Sequence, residues 1–206
     1  MKKPILTILF LTILGSILLF AQKKKKNLPI EEEKIESVFS GIKLRSIGPA
    51  LASGRIADIA VHPHNDNVWY VATGSGGVWK TKNSGHTWTS IFDNKPSYST
   101  GCITLDPSNP STVWLGTGEN VGGRHVAYGD GVYKSTDGGQ SWKNMGLQKS
   151  EHISEIIVHP ENSNIVWVAA QGPLWKSGDE RGLYKTIDGG VTWKKVLGNS
   201  EWTGVT

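Results

Sequence analysis

Apolar and polar residues alternate along most of this chain in short runs, and three stretches share one pattern. "GRIADIAVHPHNDNVWYVATG", "TGCITLDPSNPSTVWLGTG" and "HISEIIVHPENSNIVWVAAQG" each read as a strand, a turn rich in Pro and Asn, and a second strand ending in Gly. Aligned on Pro63, Pro107 and Pro160, the residues Ile59, Ile103 and Ile156 coincide, as do the small residues Ala57, Gly101 and Ser154. Small side chains there suit a strand crowded against a central axis. A variable loop follows each pair, then a third strand ("GVWKT", "GVYKS", "GLYKT"), a turn, and a fourth strand opening at Trp88, Trp142 or Trp193. Four short strands per unit of about 50 residues is the spacing of a β-propeller blade. The expected fold is therefore all-β, with about three four-stranded antiparallel blades of a larger ring, repeating over residues 55–98, 99–151 and 152–201.

The turn between third and fourth strands is the sharpest repeat: "WKTKNSGHTW", "YKSTDGGQSW" and "YKTIDGGVTW". In the pattern Ser/Thr-x-Asp-x-Gly-x-Ser/Thr-Trp, Asp137 or Asp188 can accept hydrogen bonds from its own turn, Gly139 or Gly190 supplies a positive φ, and Trp142 or Trp193 buries a large ring. Asn83 takes the Asp position in the first copy and can make a similar side-chain turn. This reads as scaffold rather than chemistry.

The N-terminus changes the picture of charge and destination. Lys2-Lys3, sixteen mostly apolar residues from Ile5 to Phe20, and Ala21 have the layout of a secretory signal peptide over residues 1–21, short of the roughly 20 apolar residues of a spanning helix. With it removed, no membrane span is expected, and the protein is exported to the periplasm, the outer-membrane surface or the medium. Residues 22–43, opening "KKKKNLPIEEEKIES" after Gln22, read as a flexible charged lead-in, leaving the blades at 44–206. The formal charge of +4 comes from six N-terminal lysines; the other residues carry 16 basic and 18 acidic groups, which gives no nucleic-acid footprint. Cys102 is the only cysteine and sits in a strand pattern, so it reads as core filler without a disulfide or metal role. Each acidic turn offers one carboxylate where calcium wants six to eight oxygens, and no cofactor is expected.

In a propeller, the start of the innermost strand and the loop between second and third strands share one rim, with the Asp turns on the opposite face. That rim should carry Arg55 and His152 at matched strand starts, with Ser99 between them. Two long loops join them: 118–131, bearing Glu119, Arg124, His125, Tyr128 and Asp130, and 171–182, bearing Trp175, Asp179, Glu180 and Arg181. The candidate binding residues are Arg55, Glu119, Arg124, His125, Asp130 and His152. Their mixture of cations, carboxylates and imidazoles suits an anionic ligand. His62 and His159 precede turn prolines and read as turn residues.

The Asp turn resembles the Asp-box, or bacterial neuraminidase repeat, of sialidases, xyloglucan hydrolases and sortilin-type sorting receptors. With "LRSIGPALASGRIADIAVHP", "GTGENVGGRHVAYGDGVYKSTDGG" and "AAQGPLWKSGDERGLYKTIDGG", the chain is similar to large exported bacterial proteins with a sortilin-like N-terminal propeller, often labelled glycosyl hydrolases. The resemblance implies a module that binds a protein, peptide or glycan on its rim, with further blades of a longer chain as partners; three blades plus "EWTGVT", similar to the opening of another innermost strand, point to an N-terminal fragment. The alternatives it leaves open are a glycoside hydrolase and an envelope assembly factor similar to photosystem assembly propellers. In xyloglucan hydrolases a catalytic Asp lies in a Thr-Asp-x-Gly-Gly stretch. Here that stretch reads Thr73-Gly74-Ser75-Gly76-Gly77, which puts Gly74 at the Asp position and leaves no catalytic carboxylate pair assignable.

Overall fold

A computed structural model of the chain describes residues 55–178 and 180–206. The signal segment, the lead-in, the first part of the 44–206 blade region and Asp179 lie outside the described residues.

The described chain forms three four-stranded antiparallel sheets and no helix. Blade one comprises β1 (Ile56–Val61), β2 (Trp69–Thr73), β3 (Val78–Thr81) and β4 (Thr89–Ser90). Blade two comprises β5 (Thr100–Leu105), β6 (Val113–Thr117), β7 (Val132–Ser135) and β8 (Lys143–Asn144). Blade three comprises β9 (Ile153–His159), β10 (Asn162–Ala170), β11 (Gly182–Thr186) and β12 (Lys194–Leu197). Each sheet keeps sequence order from the innermost strand outward, the up-and-down connection of a propeller blade. Pro63, Pro107 and Pro160 fall in the first turns, where a missing N–H costs no ladder bond. His62 and His159 brace two of those turns, accepting at Nδ1 from His64 N and Glu161 N, each at 3.2 Å.

The apolar faces meet between blades. Tyr70, Phe92, Ile103, Leu115, Tyr133 and Trp142 fill the first seam; Cys102, Trp114, Ile153, Ile156, Val168 and the flanking Trp193 fill the second. Blade two is sandwiched, so every residue of β6 is buried, whereas β12 on the outer edge is exposed throughout. Cys102 is a buried free thiol in the second seam.

The small residues at positions 57, 101 and 154 also sit at a local irregularity of the sheet. In each blade the pairing of first and second strands slips there, between Ile56 and Asp58, between Thr100 and Cys102, and opposite Ala169 and Ala170, leaving that residue on a β-bulge. A Cβ on Gly101 would overlap the Ile153 carbonyl oxygen of the next blade and lie 2.5 Å from Gly118 O. The crowding that excludes a side chain there comes from the innermost strand of the next blade.

The Asp turns close alike. Ser135 Oγ donates to Asp137 Oδ1 at 2.7 Å and accepts from Gly139 N at 2.8 Å; Ser141 N donates to Asp137 Oδ1 at 2.9 Å and Ser141 Oγ to Oδ2 at 2.5 Å. Thr186, Asp188, Gly190 and Thr192 repeat this set. Thr81, Asn83, Gly85 and Thr87 reproduce it with an amide in place of the carboxylate, Thr87 N reaching Asn83 Oδ1 at 2.9 Å. Hydroxyl and backbone donors hold both aspartates well below the usual carboxylate range, led by Ser141 at Asp137 and by Thr186 at Asp188. The second glycine has a positive φ in both, 90° at Gly139 and 94° at Gly190, and packs against the preceding blade's Ile91 or Trp114. The tryptophans continue this: Trp142 Nε1 donates to Ile91 O and Trp193 Nε1 to Met145 O, both at 2.7 Å, so each ring pins its blade to the one before.

Candidate functional site

One backbone bond, repeated three times, builds the rim. Gly74 N donates to Arg55 O at 2.9 Å, Gly118 N to Ser99 O at 2.9 Å, and Gln171 N to His152 O at 3.0 Å. Each bond ties the start of an innermost strand to the start of the loop leaving the second strand, so Arg55, Ser99 and His152 occupy equivalent places at one end of the sheets. Asp137 and Asp188 follow the third strands at the other end.

At this rim, side chains from two blades converge on Glu119. Arg55 donates from Nε to Glu119 Oε1 at 2.7 Å and from Nη2 to the same oxygen. The Arg55 side chain is 44% exposed and the Glu119 side chain 3%, so the pair sits with its carboxylate buried and its guanidinium facing out. His152, fully buried, places Nδ1 2.8 Å from Glu119 O. A carbonyl oxygen only accepts, so Nδ1 carries the proton and Nε2 a lone pair. Burial pulls the His152 imidazole below its ordinary value, against the opposing pull of the Glu119 carbonyl, and favours this neutral form. Tyr128, an exposed residue, meets the His152 ring edge-on at 5.6 Å.

Loop 118–131 is fastened over this group. Glu119 N donates to Ser99 Oγ at 3.1 Å, Ser99 Oγ to Ala127 O at 2.9 Å, Ser97 Oγ to Tyr128 O at 3.1 Å, and Gly129 N to Glu151 O at 2.7 Å. Four of the six buried side-chain atoms without a hydrogen-bond partner among the described residues lie at this end of blades two and three: Glu119 Oε2, His152 Nε2, Ser154 Oγ and Gln171 Oε1. Three of them can act here only as acceptors, while Ser154 Oγ can also donate.

The other candidates lie in the rim loops without bonding to the Glu119 group. Arg124 and His125 are exposed in loop 118–131, and neither side chain makes a hydrogen bond or ion pair with the described residues. Asp130 braces its loop: Tyr133 Oη donates to Oδ2 at 2.5 Å, Asp130 N to Thr117 Oγ1 at 2.8 Å, and burial together with Asp130 pushes the Tyr133 phenol up to about 12. Arg181 is a buried staple, donating to the carbonyls of Gln171, Pro173, Lys176 and Gly178. Glu180 accepts from Lys149 N at 2.8 Å, while Trp175 is 63% exposed. No three His, Cys, Asp or Glu side chains gather as a metal cluster among the described residues. Sequence spacing did not place Gly74 against Glu119, because nothing in the sequence pairs a residue of blade one with one of blade two.

No protein-family model matches the chain. Among curated proteins it is similar to the xyloglucanase of Hypocrea jecorina, 29% identical over 157 residues, covering 69% of this chain and 18% of that protein. It is also similar to xyloglucanase Xgh74A of Acetivibrio thermocellus, 25% identical over 171 residues, covering 72% of this chain and 18% of that protein. The chain therefore spans roughly a fifth of the length of these relatives. Among solved structures, a GH74 enzyme of Niastella koreensis superposes with a TM-score of 0.53 at 25% identity, over 69% of this chain and 21% of that one. A chain of a nidogen–laminin complex, at 14% identity, has a TM-score of 0.51 over 73% of this chain and 50% of that one, a likeness of fold alone.

Proposed function

We propose that the protein is an exported β-propeller directed at a polysaccharide of the xyloglucan kind, with the rim of Arg55, Glu119 and His152 turned toward the sugar chain. The observation that carries this reading is the similarity to xyloglucanases over most of the chain, 157 residues and 69% of it in one case. The rim supports it. Tyr98, Tyr128 and Trp175 are 62%, 56% and 63% exposed on rim segments, and flat rings of this kind stack on the apolar faces of sugars.

Hydrolysis belongs to this proposal for the complete protein. Glycosidases flank the scissile bond with two carboxylates roughly 5 to 9.5 Å apart. Among the described residues, Glu119 is the one buried carboxylate of this rim; Asp130 is committed to Tyr133 and Glu151 to Lys176 at 2.9 Å. That single carboxylate, with Gly74 where a xyloglucan hydrolase would have Asp, favours a second reading: a sortilin-like module that holds glycan without cutting it.

Reducing-end release and retention on immobilised polysaccharide, measured for the complete protein across a panel of plant and bacterial glucans, separate the two. Release from xyloglucan or a related β-glucan supports the hydrolase. Retention without release supports the binding module. Neither release nor retention on any polysaccharide defeats the proposal.

A further inference from the structure

Gly74 belongs to blade one and Glu119 to blade two, yet they share one space. A Cβ built on Gly74 would overlap Glu119 Oε1, lie 2.7 Å from Cδ and 3.1 Å from Cγ. Gly74 carries no positive φ, so backbone conformation does not demand glycine there. The demand is for room, and the room is taken by a carboxylate from the neighbouring blade.

That carboxylate is placed at a cost. Taking a carboxylate out of water is unfavourable by several kcal/mol unless its oxygens are all satisfied. Here Arg55 satisfies Oε1 twice over and Oε2 has no partner. His152, whose Nδ1 meets the Glu119 carbonyl oxygen, carries at Nε2 a second buried acceptor without a donor among the described residues. A pair that served stability alone would spread the guanidinium over both oxygens in the bidentate form that is strongest. Arg55 instead leaves the Nη1 edge of a half-exposed guanidinium without a partner among the described residues.

We infer that Glu119 is the ligand-accepting carboxylate of this rim, carried across the blade seam into the space that Gly74 vacates, and that its ligand is a neutral, donor-rich group such as the vicinal hydroxyls of a sugar ring. This rests on the glycan reading above. Oε2 is closed off from solvent in the free protein, so binding must first turn it outward; one hydroxyl then donates to it and a neighbouring one accepts from Arg55 Nη1. His152 is a positioning residue that holds the Glu119 backbone through Nδ1. The sign of the ligand follows from the same bonds. Arg55 is already neutralised by Glu119, and the unfilled groups are acceptors, so an anionic ligand would meet lone pairs; the anionic ligand expected from residue types alone is the less suited one.

The test uses the complete protein as wild type, E119Q and G74A, titrated calorimetrically with neutral gluco-oligosaccharides and, in parallel, with uronic-acid oligosaccharides, with Tm recorded for each. The Gln amide keeps an acceptor for Arg55 and puts a donor where Oε2 was. E119Q should bind neutral oligosaccharide at least tenfold more weakly, with Tm unchanged or raised, because a charge placed for ligand rather than stability is relieved by the amide. G74A should lose affinity to a similar degree, since its methyl group displaces the carboxylate. A drop in the Tm of E119Q with affinity retained would make the pair a structural tie and overturn the inference, as would tighter binding of uronic acids than of neutral sugars. If wild type binds no oligosaccharide, the glycan reading fails by itself. The Tm of E119Q still decides the role of Glu119: a fall overturns it, and no fall supports it.

Discussion

On the Asp-turn face three reversals are closed end to end by one set of bonds, whereas the rim loops share bonds only at their bases and differ in the side chains that fasten the rest. Ser135, Asp137 and Ser141 bond as Thr186, Asp188 and Thr192 do, and Asn83 keeps the geometry without the charge. Across the molecule, the short loop after β2 is pinned by Trp79 Nε1 on Gly76 O, the loop after β6 by Ser97, Ser99 and Asp130, and the loop after β10 by Arg181. A reversal that must only be tight has one good solution and repeats it. Loops that hold different side chains over the axis each need their own fastening, and this is where buried acceptors are left unmatched.

The comparison breaks most visibly at the tryptophans. Trp142→Ala removes an 8%-exposed ring, its edge contact with Phe92 and its bond to Ile91 O, and should cost about 3 to 5 kcal/mol by urea unfolding. Trp88→Ala removes a 39%-exposed ring and should cost about 1 kcal/mol or less. Equal effects would mean that the ring's inter-blade contacts do not govern the turn.

Glycines sharpen the contrast at smaller scale. Gly139→Ala meets both a φ of 90° and Ile91 Cδ1 at 2.5 Å, and should destabilise by about 1 to 3 kcal/mol. Gly122→Ala, in the rim loop, meets nothing within 4 Å and should stay within about 0.5 kcal/mol of wild type in the same measurement.

Acid should separate the faces in pH. His152 is held below its ordinary value, so its neutral form stabilises the rim above about pH 6.5, and that contribution is lost as pH falls through the folded-state value. Asp137 and Asp188 are also depressed, so their contribution is full above about pH 4 and lost only below it. Amide protection factors, taken relative to the intrinsic rate at each pH, should therefore fall at Glu119 and Gln171 at milder acidity than at Ser141 and Thr192. The reverse order would place the weaker fastening on the turn face. The smallest effect belongs to Arg124→Ala, whose exposed side chain bonds to nothing described; its Tm should match wild type.

Blade number, strand order and the scaffold role of the Asp turns were legible in the sequence because each is fixed by short-range period and turn chemistry, repeated. The coincidence of Arg55, Ser99 and His152 was legible too, since an alignment of repeats is an alignment in space. The function of Ala57, Gly101 and Ser154 was half legible: their smallness was plain, but the bulge depends on register between strands. The Glu119 cluster was not legible. Residues 55, 74, 119 and 152 come from three blades, and their distances depend on how blades rotate about the axis, which no local pattern encodes. Asp130 and Arg181 misled for a related reason, since a charged residue in a glycine-rich loop looks the same whether it faces solvent or ties the loop to itself.

Between the blades runs a further repeated contact. Lys80 lies over the Tyr70 ring and donates to Gly138 O at 2.7 Å; Lys134 lies over the Trp114 ring and donates to Gly189 O at 3.1 Å. The lysine of one blade thus closes the turn of the next, while the tryptophan after that turn reaches back. Consequently the sheet is not the unit an engineer can lift out. A truncation at a strand-four boundary severs a lysine from its carbonyl and a tryptophan from its seat in one stroke. A one-repeat cassette cut inside the rim loops, before β3, fares no better. Lys80 and Gly138 lie 58 positions apart and Ile91 and Trp142 51 apart, on opposite sides of the next such cut, so only runs of blades move as units.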